Sequence, residues 1–230
     1  VRDPSKVYLG TSTENFSTSI PGTRIDDQIE TDGAIAGVNA GAFFDNGTSD
    51  PSVGSVPEGL VYSKGVCKWT TGSPPNGIKG FAGFNKDNIL VVAQDNLSKA
   101  QAEELNIRDG CCFGPVLIMN GEINQEAYNS NSGWNPRTAI GQRKDGAVVF
   151  VCIDGRQAGS AGGTYKDVID IMIEYGVVNA CNMDGGSSSI MVYRDTYGLF
   201  GEAGTVQVIN SYSLLQERPR KMPTFWMVAP

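Results

Sequence analysis

Histidine is absent from this chain. Its absence removes histidine triads, His-ligated zinc and the usual general base near neutral pH. Proton transfer must fall to Asp, Glu, Lys, Tyr or Cys. No apolar stretch approaches the roughly 20 residues that span a bilayer, so no membrane span is expected. Basic residues are outnumbered, 18 Lys and Arg against 25 Asp and Glu, for a net charge of -7. That balance argues against a nucleic-acid partner, and an anionic ligand would have to be held by a few placed arginines. The five cysteines, Cys67, Cys111, Cys112, Cys152 and Cys181, show no C-x-x-C spacing and cannot complete a disulfide framework. They read as mostly buried thiols, with a single disulfide through Cys67 as the alternative. Repeats and low-complexity linkers are missing too. The chain starts at Val1 without a methionine, which fits an upstream export signal that has been removed.

Glycine is plentiful, with 29 residues scattered at turn positions, the pattern of many short strands joined by tight turns. Strands are expected at Ala34–Asn39, Leu60–Ser63, Asn88–Ala93, Val116–Asn120, Thr138–Gln142, Ala147–Ile153, Val177–Asn182, Ser189–Tyr193, Val206–Asn210 and Thr224–Val228. Asn120-Gly121 is a two-residue hairpin signal, and Lys144-Asp145-Gly146 reads as a turn between neighbouring strands. Ser98–Asn106 has a serine N-cap before good helix formers. A second helix is capped by Thr164 with Asp167 three residues on and closed by Gly176; Val168, Ile169, Met172 and Ile173 share one face of it. Strand, helix and strand then follow from Val148 to Val178 as a βαβ-like unit. The expected class is α+β: one compact domain over residues 1–230, a mixed β-sheet with a few flanking helices.

Polar clusters sit where strands end: NAGAFFD (Asn39–Asp45), NPRTAIGQ (Asn135–Gln142), IDGRQ (Ile153–Gln157), NMDGGSSSIM (Asn182–Met191) and ERPRKMP (Glu217–Pro223). Taken singly, Asp-Gly after a strand is an ordinary turn. Together, strand ends on one side of a sheet are where sites assemble. The glycines after Asp184 let backbone N–H groups approach a ligand, and the serines add hydroxyls.

These motifs, with FGPVLIMNGE (Phe113–Glu122) and GGTYKDVIDIM (Gly162–Met172) in order between them, resemble the phosphodiester glycosidase domain from about Ile20 to the C-terminus. The resemblance implies hydrolysis of a sugar-1-phosphodiester at the anomeric C–O bond. Carried over, it marks Asp184, Asp154 and Asp45 as catalytic carboxylates. It marks Asn39, Arg137, Thr138, Arg156, Gly185, Gly186, Ser188, Ser189 and Arg218 as substrate-binding. Ser187 and Ile190 stand where the family often has glycine and threonine. Bacterial exported relatives imply a secreted or cell-surface chain.

The chemistry suits these residues. An ordinary glycosidase must protonate an alkoxide, whereas a phosphomonoester, its second pKa near 6, leaves readily by itself. Guanidinium forks on Arg137, Arg156 and Arg218 can stabilise the departing phosphate. Asp184, or Asp154 after it, can act as nucleophile, base or counter-charge beside the anomeric carbon. No cofactor is expected, but the same aspartates with serine hydroxyls offer Ca²⁺ or Mg²⁺ an oxygen-rich alternative. Two other functions stay open. One is glycan recognition without turnover, with Trp69, Trp134, Tyr128 and Trp226 as stacking candidates on a cell-wall or exopolysaccharide ligand. The other is cleavage of the P–O bond, which usually calls for two metals or a nucleophile–base pair.

Overall fold

The computed structural model describes residues 1–44, 53–71, 78–212 and 218–230. Its first half carries β1 (Val7–Thr11), α1 (Ile25–Asp32), β2 (Ala36–Asn39), β3 (Phe43–Phe44), β4 (Val56–Pro57), β5 (Leu60–Ser63), β6 (Val66–Thr70), β7 (Phe81–Asn85) and β8 (Leu90–Ala93). Then come α2 (Lys99–Glu104), β9 (Ile107–Cys112), β10 (Val116–Met119), β11 (Glu122–Ile123), α3 (Gln125–Tyr128), β12 (Arg137–Arg143) and β13 (Val148–Ile153). The chain closes with α4 (Tyr165–Glu174), β14 (Val177–Met183), β15 (Met191–Arg194), β16 (Val206–Val208) and β17 (Thr224–Val228).

Local chemistry explains the elements that the sequence announces. Thr164 and Asp167 form a reciprocal capping box, the Thr164 N–H donating to Asp167 Oδ2 at 2.7 Å and the Asp167 N–H to Thr164 Oγ1 at 3.2 Å. Gly176 follows α4 at φ +74°, a left-handed turn that glycine adopts without strain. Asn120 and Gly121, at φ 53° and 84°, make the tight turn that pairs Met119 with Glu122. Val168, Ile169 and Met172 are fully buried, while Ile173 is 45 % exposed and lies off the face assigned to it.

Three five-stranded sheets result, in the orders β1-β17-β2-β15-β16, β11-β10-β14-β12-β13 and β6-β5-β9-β7-β8. Every pairing among the described strands is antiparallel. The sheet is therefore not mixed. β13 and β14 do run in the same direction, but β12 lies between them and pairs with both. The βαβ-like unit is split, with α4 passing over β12. Sheet dominates and the helices flank it, an α+β arrangement.

The sheets share one core. Leu9, Val38 and Trp226 of the first meet Val116, Ile140 and Met183 of the second and Val61, Phe84 and Leu90 of the third. The Trp226 indole N–H points at Met183 Sδ, 3.3 Å away, and so links the first two sheets. On the outer faces, α4 packs on Leu117, Ala139 and Ala180, and α1 inserts Ile25 and Ile29 beside Val192 and Phe225. All five cysteines are free thiols, and Cys67 forms no disulfide.

Candidate active site

Antiparallel pairing brings the polar clusters to one end of the fold. β2 finishes at Asn39, β13 at Ile153 and β14 at Met183, while β12 begins at Arg137, β15 at Met191 and β17 at Thr224. Register fixes the match: Asn39 opposes Phe225, Arg137 opposes Ile153 and Thr138 opposes Met183. The loop from Asp184 to Ser189 crosses from the second sheet to the first over these ends.

Asn39 anchors that loop from below. It is fully buried. Its Nδ2 donates to the Asp184 carbonyl at 2.7 Å; its Oδ1 accepts from Thr138 Oγ1 at 2.7 Å and from the Ile190 N–H at 3.1 Å. One amide thus ties β2 to β12 and to both ends of the loop. Thr138 is equally buried, so both side chains lie beneath the loop, turned toward protein. Two further backbone bonds complete the suspension, from the Asp184 N–H to Ala40 O and from the Gly186 N–H to Pro136 O, each 3.0 Å.

The glycines are needed where the loop turns. Gly185 brings its Cα against the Pro136 carbonyl, and a Cβ there would sit 2.9 Å from that oxygen. Gly186 is left-handed at φ +61°, and the Arg156 guanidinium lies over it: an added Cβ would be 3.3 Å from Nη1. Asp184 Oδ1 accepts the Gly185 N–H at 2.9 Å, which orients the carboxylate along the loop. Ser188 and Ser189 are each 1 % exposed, yet neither hydroxyl has a partner. Buried hydroxyls are normally bonded, so two left open in the loop that Asp184 heads stand out.

The arginines divide. Arg156 is exposed, held at φ 58° in the left-handed region, with Nε and Nη2 on Asn135 Oδ1 at 3.3 and 2.7 Å. Strain of that kind concentrates at functional loops. Arg137 is buried, and its Nε and Nη2 donate to the carbonyls of Gly163, Ser132 and Gly133 at 2.8–3.0 Å while the group stacks on Tyr165 at 4.3 Å. It braces the loop before β12. Arg218 points elsewhere, to Asp26 and Asp27 at the start of α1 at 2.7 and 2.6 Å. Arg220, two residues on, reaches the serine loop instead, donating to Ser187 Oγ at 3.2 Å and stacking on Phe43 at 4.8 Å.

Asp154 has both carboxylate oxygens engaged, Oδ1 by Asn210 Nδ2 at 3.0 Å and Oδ2 by the Ser211 N–H at 3.1 Å. Asn210 in turn donates to Ser189 O and accepts from the Met191 N–H. Asp154 therefore fastens the segment after β16 to the serine loop. Behind it, burial and the neighbouring Asp154 charge push the Cys152 thiol up to about 12, so it stays protonated and un-nucleophilic. Asp45 lies outside the described residues. Among the described residues no three His, Cys, Asp or Glu side chains group closely enough to share a metal ion.

Sequence reasoning overlooked Asn135, Asn210 and Arg220. Asn135 opens NPRTAIGQ and Asn210 ends a strand that had been expected, but neither position says which loop its amide will fasten. Arg220 stood in ERPRKMP beside the arginine chosen from the family resemblance.

A glycine–serine loop thus hangs from the sheet ends, with the Arg156 guanidinium over Gly186. The profile of the phosphodiester glycosidase family matches residues 32–229, and the chain belongs to that family. In fold it is similar to the zebrafish N-acetylglucosamine-1-phosphodiester alpha-N-acetylglucosaminidase catalytic domain, a structure auto-inhibited by its pro-peptide. The TM-score is 0.72 at 19 % identity, covering 99 % of this chain and 74 % of that one. A Burkholderia pseudomallei protein described as exported gives 0.64 at 15 % identity, covering 99 % and 72 %. A curated relative, the SPbeta prophage-derived uncharacterized protein YomE of Bacillus subtilis, is 33 % identical over 93 residues. That stretch is 39 % of this chain and only 14 % of YomE.

Proposed function

We propose that this chain hydrolyses a glycosyl phosphodiester at the anomeric C–O bond, releasing free sugar and a phosphomonoester. The observation that carries the reading is the Arg156 guanidinium over Gly186 in the loop that Asp184 opens, with the buried hydroxyls of Ser188 and Ser189 in the same loop left without partners. A glycosyl phosphate fits that set: a phosphate oxygen takes the guanidinium and hydroxyl donors, and the anomeric carbon faces a carboxylate.

In this reading Asp184 supplies the negative charge beside the anomeric carbon, as nucleophile or as base for water. The C1–O bond breaks, its electron pair passes to the phosphate oxygen, and a phosphomonoester departs without needing a carboxylic acid to protonate it. Arg156 receives the growing charge, aided by Arg220, which donates to Ser187 Oγ of the same loop. Asn39, Thr138 and Asp154 position the loop, Arg137 braces the segment before β12, and none of them touches the substrate; Arg218 takes no part. The reaction as drawn uses no cofactor. The substrate would be a glycan-borne phosphodiester met at or outside a bacterial cell surface, in keeping with the exported structural relative.

The test is hydrolysis of a panel of sugar-1-phosphodiesters, matched p-nitrophenyl glycosides and bis-p-nitrophenyl phosphate, with and without EDTA. Free sugar plus phosphomonoester, insensitive to EDTA, supports the proposal. Sugar-1-phosphate as product, or activity abolished by EDTA and restored by a divalent ion, would replace this mechanism with P–O cleavage or metal catalysis. Full activity in Asp184→Asn would remove Asp184 from its role.

A further inference from the structure

The four aromatic residues that a glycan could use differ sharply in their surroundings. Trp226 is fully buried, edge-on to Phe84 at 5.7 Å. Trp69 packs edge-on to Phe16 at 6.1 Å, and Tyr128 lies beneath the Lys166 ammonium at 4.8 Å. Trp134 alone of the three tryptophans projects into solvent, 69 % exposed.

A single exposed apolar side chain is ordinarily unremarkable. Trp134 differs in how the backbone on either side of it is held. On one side, Arg137 Nη2 grips the carbonyls of Ser132 and Gly133 at 2.8 and 3.0 Å. On the other, Asn135 exchanges two backbone hydrogen bonds with Gly163, at 3.2 and 3.0 Å, and its side chain receives Arg156. Ser132 Oγ also accepts the Tyr165 N–H at 3.0 Å. The exposed indole thus rises from a segment braced on both sides, next to the residue that holds the Arg156 guanidinium. A large, flat apolar face on a braced segment, with only two side-chain torsions to order, loses little freedom when something lies on it.

We propose that Trp134 is a stacking platform for a pyranose ring of the substrate's glycan, so that the site takes an oligosaccharide- or polymer-borne phosphodiester and not a lone sugar phosphate. The inference rests on reading the Asp184 loop as the seat of the glycosyl phosphate. It deepens that reading by adding a saccharide subsite at the rim. The C–H face of a pyranose supplies apolar area to the indole, while its hydroxyls stay in water at the open edge.

The test uses Asp184→Asn protein, in which bound glycan is not consumed; the asparagine Oδ1 keeps the acceptor for the Gly185 N–H. On a broad glycan array this protein should retain a set of oligosaccharides. Adding Trp134→Ala should weaken each of them about tenfold or more, the loss typical of an aromatic anchor, with no drop in thermal midpoint. Trp134→Phe should recover part of the affinity. The retained glycan should also shift the tryptophan emission to the blue and shield it from acrylamide, and both signals should vanish in Trp134→Ala. An array on which nothing is retained, or on which Trp134→Ala binds as well as its parent, overturns the proposal. Binding through Trp134 without any hydrolysis by the wild-type chain would overturn the enzymatic reading alone. Hydrolysis combined with binding indifferent to Trp134 would overturn this inference alone.

Discussion

Replacing Gly186 by alanine isolates the contact on which the proposed chemistry depends. Gly186 sits at φ +61°, and a Cβ there would approach Arg156 Nη1 to 3.3 Å and the Cζ and Nη2 atoms to 3.7 Å. Two effects add. The left-handed backbone costs an alanine about 1–2 kcal/mol, partly offset by about 0.4–1 kcal/mol through the stiffer unfolded chain. The net loss of about 1 kcal/mol corresponds to about 2–4 °C in melting temperature for a chain of this size. Separately, the guanidinium must give way by a few tenths of an ångström. It is a long, exposed side chain, so it moves at little cost in stability but is displaced from its position over the loop. If half of a charge-assisted contact is lost, kcat/KM falls about tenfold, about 1.4 kcal/mol. Gly176→Ala is the matched control: φ +74°, nothing within 4 Å of the new Cβ, and a position at the start of β14, the end away from the loop. It should lose the same stability and keep wild-type activity. Thermal melts and steady-state kinetics on the two variants decide the matter. Equal activity in Gly186→Ala and Gly176→Ala would refute the assignment of Arg156 to catalysis.

Asn39→Ala removes three hydrogen bonds from a fully buried amide and strands the Ile190 N–H, so urea unfolding should show a loss of about 2–4 kcal/mol. The same variant should have little activity, because the Asp184 loop loses its anchor. Arg218→Ala should stay within about 1 kcal/mol of wild-type stability, the limit for an exposed ion pair, and keep its kcat/KM. Arg220→Ala, which empties the place beside Ser187, should lower kcat/KM about tenfold or more in the same assay. Hydrogen bonds from Thr164 hold the Asp167 carboxyl below its ordinary 3.8. A depressed folded-state pKa means that the capping contribution is complete above that ordinary value and disappears as pH falls through the folded one. Acid unfolding of Asp167→Asn should therefore show a shallower loss of stability below about pH 4 than the wild type.

The sequence made the site's parts legible where turn chemistry and function coincide. Asp184-Gly185-Gly186, Asp154-Gly155 and Asn135-Pro136 are recognisable as loops after or before strands, and antiparallel pairing then collects them without further instruction. α4 was equally readable from its capping box and apolar face. What stayed hidden depends on tertiary partners. β7 and β9 read poorly because Gly83 faces Gly110 across the ladder, making room for the Phe81 ring that an added Cβ would strike at 2.7 or 2.4 Å. The buried Asp109 of β9 also looks like a loop residue until its carboxylate is seen capping the N–H groups of Leu9 and Lys64. α1 offers only Ile25 and Ile29 among acidic residues and no side-chain cap at Arg24. That Arg220, and not Arg218, reaches the serine loop has the same origin. Neighbours in an irregular segment point to different places, and only the acidic start of α1 shows that Arg218 is already engaged.

Hydrolysis in ¹⁸O-labelled water tests the central claim most directly. The chain would be given a glycosyl phosphodiester from the substrate panel, and the released phosphomonoester analysed by mass spectrometry. Attack at the anomeric carbon leaves the phosphomonoester unlabelled and sends the heavy oxygen to the sugar, which is the result predicted here. A phosphomonoester carrying ¹⁸O would mean attack at phosphorus, and the roles given to Asp184 and Arg156 would have to be abandoned.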